Sequence, residues 1–194
     1  MALVTPYMTE KFIAYISDVV TTNLTFAVWL TDEYTQQAPI GGVQAMLKGS
    51  GMKAQMNLSG YFLFTDLAAG AYTVCIEPEF YFPVEETVDT TLLDPKKPVF
   101  QIVLKPTPRY PFPANTTLLR GVLKNSVPIA DAGVKVTGKT ISTVTDYRGE
   151  FVLYFKGIKK EAIIVFIQKG SDTKSVGAII EEGKTVATGI IHFP

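Results

Sequence analysis

The chain has 194 residues, 47% of them hydrophobic, and its 18 Lys+Arg balance 18 Asp+Glu to a formal net charge of zero. The apolar fraction belongs to a globular chain rather than a disordered one, and the length allows one large domain or two small ones. The charge balance argues against a general nucleic-acid binder, the single Cys excludes an internal disulfide and a Cys-rich zinc site, and the single His excludes any constellation that needs two.

The first residues, Met1-Ala2-Leu3-Val4-Thr5-Pro6-Tyr7, lack a basic leader, and Lys11 and Asp18 interrupt any apolar stretch behind them. The longest apolar run, Ala162-Ile163-Ile164-Val165-Phe166-Ile167, has six residues, where a membrane helix needs about 20. No membrane or nucleic-acid partner is expected. The chain reads as cytoplasmic, or as extracellular or surface-bound if a leader was removed. Asn23, Asn57 and Asn115 open N-x-[ST] sequons, read as chance matches without a secretion signal.

Short runs rich in Val, Ile, Thr, Tyr and Phe are separated by Gly, Pro, Asn and Asp, and helical periodicity is scarce. In chain order this predicts strands near 11–20, 24–30, 43–47, 53–56, 61–64, 71–76 and 99–104. A second set follows near 118–124, 133–137, 141–145, 150–155, 162–168, 174–180 and 185–192. Strands at about 8–12-residue spacing point to an all-β protein of antiparallel sandwiches.

Between the two sets lies Pro106-Thr107-Pro108-Arg109-Tyr110-Pro111-Phe112-Pro113, four prolines in eight residues. Such a run favours polyproline II, a semi-rigid spacer, with Tyr110 and Phe112 available to pack on either side. The alternative is a proline-rich edge strand or turn inside one larger sandwich. The chain also repeats itself. Pro39-Ile40 recurs as Pro128-Ile129, and Gly60-Tyr61-Phe62 as Gly149-Glu150-Phe151, both at an offset of 89 residues. That period fits a duplicated domain rather than a solenoid. The expected organisation is an acidic sandwich over 1–106, a Pro-rich linker over 107–113 and a basic sandwich over 114–194. Residues 1–106 hold 6 Lys+Arg against 11 Asp+Glu (net −5), and residues 107–194 hold 12 against 7 (net +5). Solvated faces account for such a split; so does electrostatic complementarity between the domains or head-to-tail between molecules.

Leu119-Arg120-Gly121-Val122-Leu123, followed by Val127-Pro128-Ile129-Ala130-Asp131-Ala132-Gly133-Val134, resembles the first two strands of carboxypeptidase regulatory-like domains. Thr145-Asp146-Tyr147-Arg148-Gly149-Glu150-Phe151 resembles their T-D-x-x-G-x-F turn. Residues 38–43 and 57–62 carry a weaker version, and Leu67-Ala68-Ala69-Gly70-Ala71-Tyr72-Thr73-Val74 is similar to the family's L-x-x-G-x-Y-x-V entry into a later strand. The resemblance implies two tandem seven-stranded Greek-key sandwiches of the transthyretin-like (prealbumin-like) kind, and an accessory module rather than an enzyme. Pilin-type sandwiches of similar build cross-link a first-strand Lys to a last-strand Asn. Lys124 fits the first position, but the final strand contains no Asn. Transthyretin-related hydrolases use more than one His and end in Tyr-Arg-Gly-Ser, whereas this chain ends Ile191-His192-Phe193-Pro194.

The motif has its own physical reading: Asp146 caps backbone N–H groups of a turn in which Gly149 takes positive φ. Asp146 and Glu150 together fall short of a calcium ligand set. His192 near the chain end and Cys75 in an apolar strand make poor catalysts, and the pairs Glu85-Glu86 and Glu181-Glu182 point to opposite strand faces. No catalytic residue, cofactor or metal site is therefore expected. The three consecutive aromatics of Glu77-Pro78-Glu79-Phe80-Tyr81-Phe82-Pro83 cannot all face one core. Phe80, Tyr81 and Phe82, with Tyr110 and Phe112, are the candidate interaction surface; the alternative is an aromatic corner closing the sandwich. The expected function is a non-catalytic structural or adaptor protein that binds an unidentified protein partner, self-association included, within a larger assembly. A carbohydrate- or small-ligand-binding accessory module is the alternative.

Overall fold

Strands form where every second side chain is apolar, because alternate residues of an extended backbone face one side. In the computed structural model, residues 21–194 are described, together with the backbone of two short paired strands, β1 (Tyr7–Met8) and β2 (Ile13–Ala14). Apart from Ile13–Ala14, the strand expected near 11–20 lies outside the described residues. The fold is all-β, with a single 3-10 turn at Thr90–Leu92 as its helical element among the described residues.

Seven further strands precede the proline-rich segment: β3 (Leu24–Asp32), β4 (Val43–Leu47), β5 (Gln55–Met56), β6 (Phe62–Thr65), β7 (Ala71–Pro78), β8 (Val84–Asp89) and β9 (Val99–Leu104). They form a four-stranded sheet, β5-β6-β3-β9, and a three-stranded sheet, β4-β7-β8. Between the sheets Phe26, Val28 and Leu30 of β3 meet Phe64, Val74, Ile76, Val88, Ile102 and Leu104 in one buried cluster. Phe26 stacks on Phe64 with ring centroids 4.8 Å apart.

After the segment come β10 (Thr117–Lys124), β11 (Gly133–Val136), β12 (Ser142–Val144), β13 (Glu150–Phe155), β14 (Lys160–Lys169), β15 (Asp172–Glu181) and β16 (Thr185–His192). Their sheets are β13-β10-β16 and β12-β11-β14-β15, closed on a second cluster that includes Leu119, Leu123, Val134, Phe151, Leu153, Val165, Ile167 and Ile180.

The turns before β6 and β13 are built alike. Asn57 Oδ1 accepts the N–H of Ser59 (3.0 Å) and Tyr61 (2.9 Å). At the offset of 89, Asp146 Oδ1 accepts the N–H of Arg148 (2.9 Å) and Glu150 (2.9 Å). Gly60 and Gly149 follow with φ of 85° and 73°.

The structure differs from the sequence reading, or adds to it, at four points. The sheets are not wholly antiparallel: β3 runs parallel to β9 and β10 parallel to β16, because the first and last strands of each set lie side by side after the chain has crossed between sheets. β8 was not expected, since Val84-Glu85-Glu86-Thr87-Val88-Asp89 is an exposed edge strand with only Val88 buried. The third strand of each set belongs to different sheets: β5 pairs with β6, whereas β12 pairs with β11. Finally, the proline-rich segment is no extended spacer. Pro106 bridges to Tyr81, Thr107 N–H donates to Phe80 O (2.9 Å), and Tyr110 N–H turns back to Thr107 O (3.0 Å). Pro108 occupies the turn position whose φ proline presets, so the prolines shape a bend that delivers Tyr110 into the first core.

Candidate functional site

Along β3 the inward positions read Phe26, Val28, Leu30 and Asp32, so the alternation that builds the core places a carboxylate at its end. Asp32 is buried. Its Oδ1 accepts the N–H of Tyr34 (2.7 Å) and of Thr35 (3.4 Å) in the turn that ends the strand. Its Oδ2 accepts the hydroxyls of Tyr110 (2.5 Å) and Tyr81 (3.2 Å). The Tyr81 hydroxyl oxygen also accepts the Ile40 N–H (3.0 Å), which ties the loop before β4 to the same point. A buried carboxylate surrounded by four donors has its lone pairs satisfied without a cation. Burial, with Asp32 as neighbour, pushes the Tyr81 hydroxyl up to about 12 and the Tyr110 hydroxyl higher still. Both stay neutral donors through the physiological range.

The second half of the chain joins at the other side of Tyr34. Its ring meets Tyr110, Phe112 and Tyr154 edge-on at 5.9, 5.0 and 5.1 Å, and its hydroxyl bonds to that of Thr116 (3.1 Å). Tyr154 of β13 donates to Glu33 O (3.4 Å), and Lys156 Nζ donates to Tyr34 O (2.5 Å) while lying 5.1 Å from the Tyr34 ring centroid. Arg120 donates to Pro108 O (2.7 Å), and Lys105 Nζ to Ser142 O (3.1 Å). Burial raises the Tyr154 hydroxyl as well. A cleft of about 260 Å³, lined by residues including Glu33, Lys105, Ser142 and Tyr154, opens beside this junction.

Three of the five expected interaction residues converge here, as interior groups. Tyr81 is 2% and Tyr110 4% exposed, so neither offers a partner any surface. Phe112 is half-buried between Tyr34 and Tyr154, and Phe80 and Phe82 are half-buried where the loop pairs with residues 105 and 107. Desolvating two phenol rings and binding their hydroxyls to Asp32 outweighs exposing them. Asp32, Tyr34, Tyr154 and Lys156 were missed. The available signal was a charged residue at a core position of β3's alternation.

The charge split makes no ion pair across the junction among the described residues: Lys48–Glu85 lies in the first set of strands, and Lys139–Glu161 and Lys184–Glu181 lie in the second. Cations cross to backbone carbonyls and aromatic rings instead. Cys75 lies on β7 opposite Met46 and Glu85, and burial pushes its thiol up, away from the reactive thiolate. His192 is exposed on β16, at a sheet edge. Among the described residues no three His, Cys, Asp or Glu side chains converge on one point, and no helix is long and apolar enough to cross a membrane.

No family model matches the chain, and no curated protein matches it. Among solved structures, it is similar to the type II cohesin–X-dockerin complex of Acetivibrio cellulolyticus, at 21% identity over 38% of this chain and 52% of that one, with a TM-score of 0.31. It is similar to the Bacillus anthracis TIE protein at 15% identity over 87% of this chain and 33% of that one, TM-score 0.32. The minor pilin GBS52 of Streptococcus agalactiae matches at 13% identity over 87% of this chain and 95% of that one, TM-score 0.30. The matches thus span about half of the first of these chains and a third of the second. The fold described above rests on this chain's own strands and cores.

Proposed function

We propose that the chain is a non-catalytic structural or adaptor protein that holds protein partners within a larger assembly. Its two tandem seven-stranded Greek-key sandwiches, over 1–106 and 114–194, act as modules, and residues 107–113 are the joint between them. The matching turns at Asn57 and Asp146 support reading both modules as carboxypeptidase regulatory-like.

One observation carries this reading: the buried carboxylate Asp32 and the aromatic residues around it are spent on anchoring the segment between the halves and the contact beyond it. Asp32, Tyr81 and Tyr110 saturate one another, and Tyr34, Phe112, Tyr154 and Lys156 extend the same cluster from the first core to β13. A joint of this kind fixes the angle between two modules, which suits a spacer more than a catalyst. Tyr81, the centre of the aromatic run expected as an interaction surface, is turned inward to Asp32.

Affinity capture from the native host at low and high salt tests the reading. A discrete protein partner, bound by the intact chain and lost when the junction is loosened by Tyr154→Ala, is the expected result. A strictly monomeric chain that captures no protein at either salt concentration overturns it.

A further inference from the structure

β15 ends the sheet β12-β11-β14-β15, so one side of its backbone has no hydrogen-bonded strand beside it. The direction of its free groups follows from two hydrogen bonds. Thr137 N–H donates to Ile164 O (2.9 Å), which turns the even-numbered residues of β14 toward β11 and the odd-numbered ones toward β15. Glu182 N–H donates to Lys159 O (2.8 Å), in step with the ladder that pairs Val165 with Val176 and Ile163 with Ala178. The even-numbered residues of β15 are therefore bonded to β14. Thr173, Ser175, Gly177 and Ile179 present their N–H and C=O groups to the open edge.

Two further features sit on this edge. Ile164 and Ile179 are 54% and 59% exposed on the outer face of the sheet, beside a depression of about 490 Å³ that Gly177 also lines. Gly177 itself has no role within the chain. Its φ is not positive, and a Cβ added there would meet nothing within 4 Å. A glycine inside a strand weakens it, and commonly marks the close approach of something else.

We infer that β15 pairs antiparallel with β15 of a second copy of this chain, about a twofold axis at Ala178. Charge selects this register. It sets Lys174 opposite Glu182, whose N–H still belongs to the β14 ladder, and this pair occurs twice by symmetry, with Val176 opposite Ile180. Gly177 and Ile179 then form the hydrogen-bonded pairs, and each Ile179 side chain lies over the gap left by the other copy's glycine. Moving the axis one residue back to Gly177 sets Asp172 opposite Glu182; moving it forward to Ile179 sets Glu182 opposite Val176 and leaves Lys174 beyond the end of the other copy's strand. The first places like charges face to face and the second gives up the Lys174–Glu182 pair, which disfavours both. The inference stands on β15 alone. Its failure would leave the adaptor reading intact, and failure to capture a partner would leave the dimer intact.

Light scattering or sedimentation of the full chain over a range of concentration and salt tests it. The expected species is a dimer that dissociates on dilution and more readily at high salt. Lys174→Glu and Glu182→Lys should each raise the dissociation constant roughly tenfold or more, because like charges then oppose each other at two symmetric places. The double reversal should restore it to within about threefold by the same pairing. Lys174 also reaches the His192 carbonyl within its own chain, so the double variant decides. Gly177→Pro removes an N–H that the dimer uses and the β14 ladder does not, and should give a folded monomer with unchanged circular dichroism. A chain that stays monomeric throughout, a dimer insensitive to both single reversals, or a double reversal that fails to restore association overturns the inference.

Discussion

Asp32 brings a carboxylate into an apolar core with neutral donors only, so each donor it loses is costly. Tyr110→Phe removes the shorter hydroxyl bond and keeps the ring, and should destabilise the fold by about 1.5–3 kcal/mol, the range for a hydrogen bond to a charged group. Chemical denaturation with an unchanged m-value would read this out. The same hydroxyls govern the alkaline limit. An unfolded tyrosine ionises near 10, whereas folded Tyr81 holds its proton to about 12. Above pH 10 the unfolded chain therefore releases protons that the folded chain keeps. The tyrosine contribution to stability should be constant below pH 10 and fall as pH rises through 12, and Tyr81→Phe should make that fall shallower. Absorbance titration at alkaline pH would show a set of tyrosines ionising only after the exposed ones. The two turn glycines offer a paired comparison. Gly149→Ala adds a Cβ at positive φ that runs into the Leu123 carbonyl oxygen, whereas at Gly60 the nearest atom, on the Trp29 ring, is 3.5 Å away. Gly60→Ala should cost about the 1–2 kcal/mol of a left-handed L-residue. Gly149→Ala should cost clearly more, as thermal unfolding of the two variants would show.

At the scale of the elements, strands with clean alternation could be read from sequence. Val43–Leu47, Val99–Leu104, Glu150–Phe155 and Thr185–His192 lie where the pattern put them. Local chemistry was equally legible at Asp146, whose capped turn needs only residues within four positions. β8 was hidden because Glu85, Glu86 and Thr87 are all exposed, and the edge position demands only Val88 of the core. That asymmetry predicts Val88→Ala to cost about 1–3 kcal/mol through the cavity it leaves, and Thr87→Ala to stay within about 0.5 kcal/mol. Equilibrium unfolding of both variants would check it, and equal effects would mean that β8 packs differently. Sheet membership was not legible at all. β5 and β12 follow equivalent strands, yet Ala54 N–H bonds to Ala45 O before the chain crosses to β6, while Thr145 N–H bonds to Ala132 O and keeps β12 on β11. Periodicity gives the inward face of a strand, not the neighbour that takes its hydrogen bonds.

For the whole molecule the decisive contacts span long stretches of chain: 78 residues from Asp32 to Tyr110 and 121 from Glu33 to Tyr154. A period-two pattern cannot encode such pairings, so the aromatic run and the prolines announced a special region without revealing that it faces inward. The split of charge into −5 and +5 suggested ion pairs between the halves, but the junction uses rings and carbonyls, which salt screens far less than exposed ion pairs. Coupling between the halves should therefore persist at high ionic strength. Because Tyr154 hangs from β13 and touches Tyr34, Phe112 and Glu33, truncating it removes the contact while leaving both cores whole. Calorimetry of the intact chain should give one transition, in low and high salt alike. Tyr154→Ala should split it into two, and small-angle scattering should show a larger and broader range of dimensions for the variant. Phe151→Ala provides the contrast, since Phe151 is buried in the second core and its loss, worth about 3–5 kcal/mol, lowers that half's own stability. If Tyr154→Ala instead shifts one undivided transition as Phe151→Ala does, the halves are joined by something other than this junction.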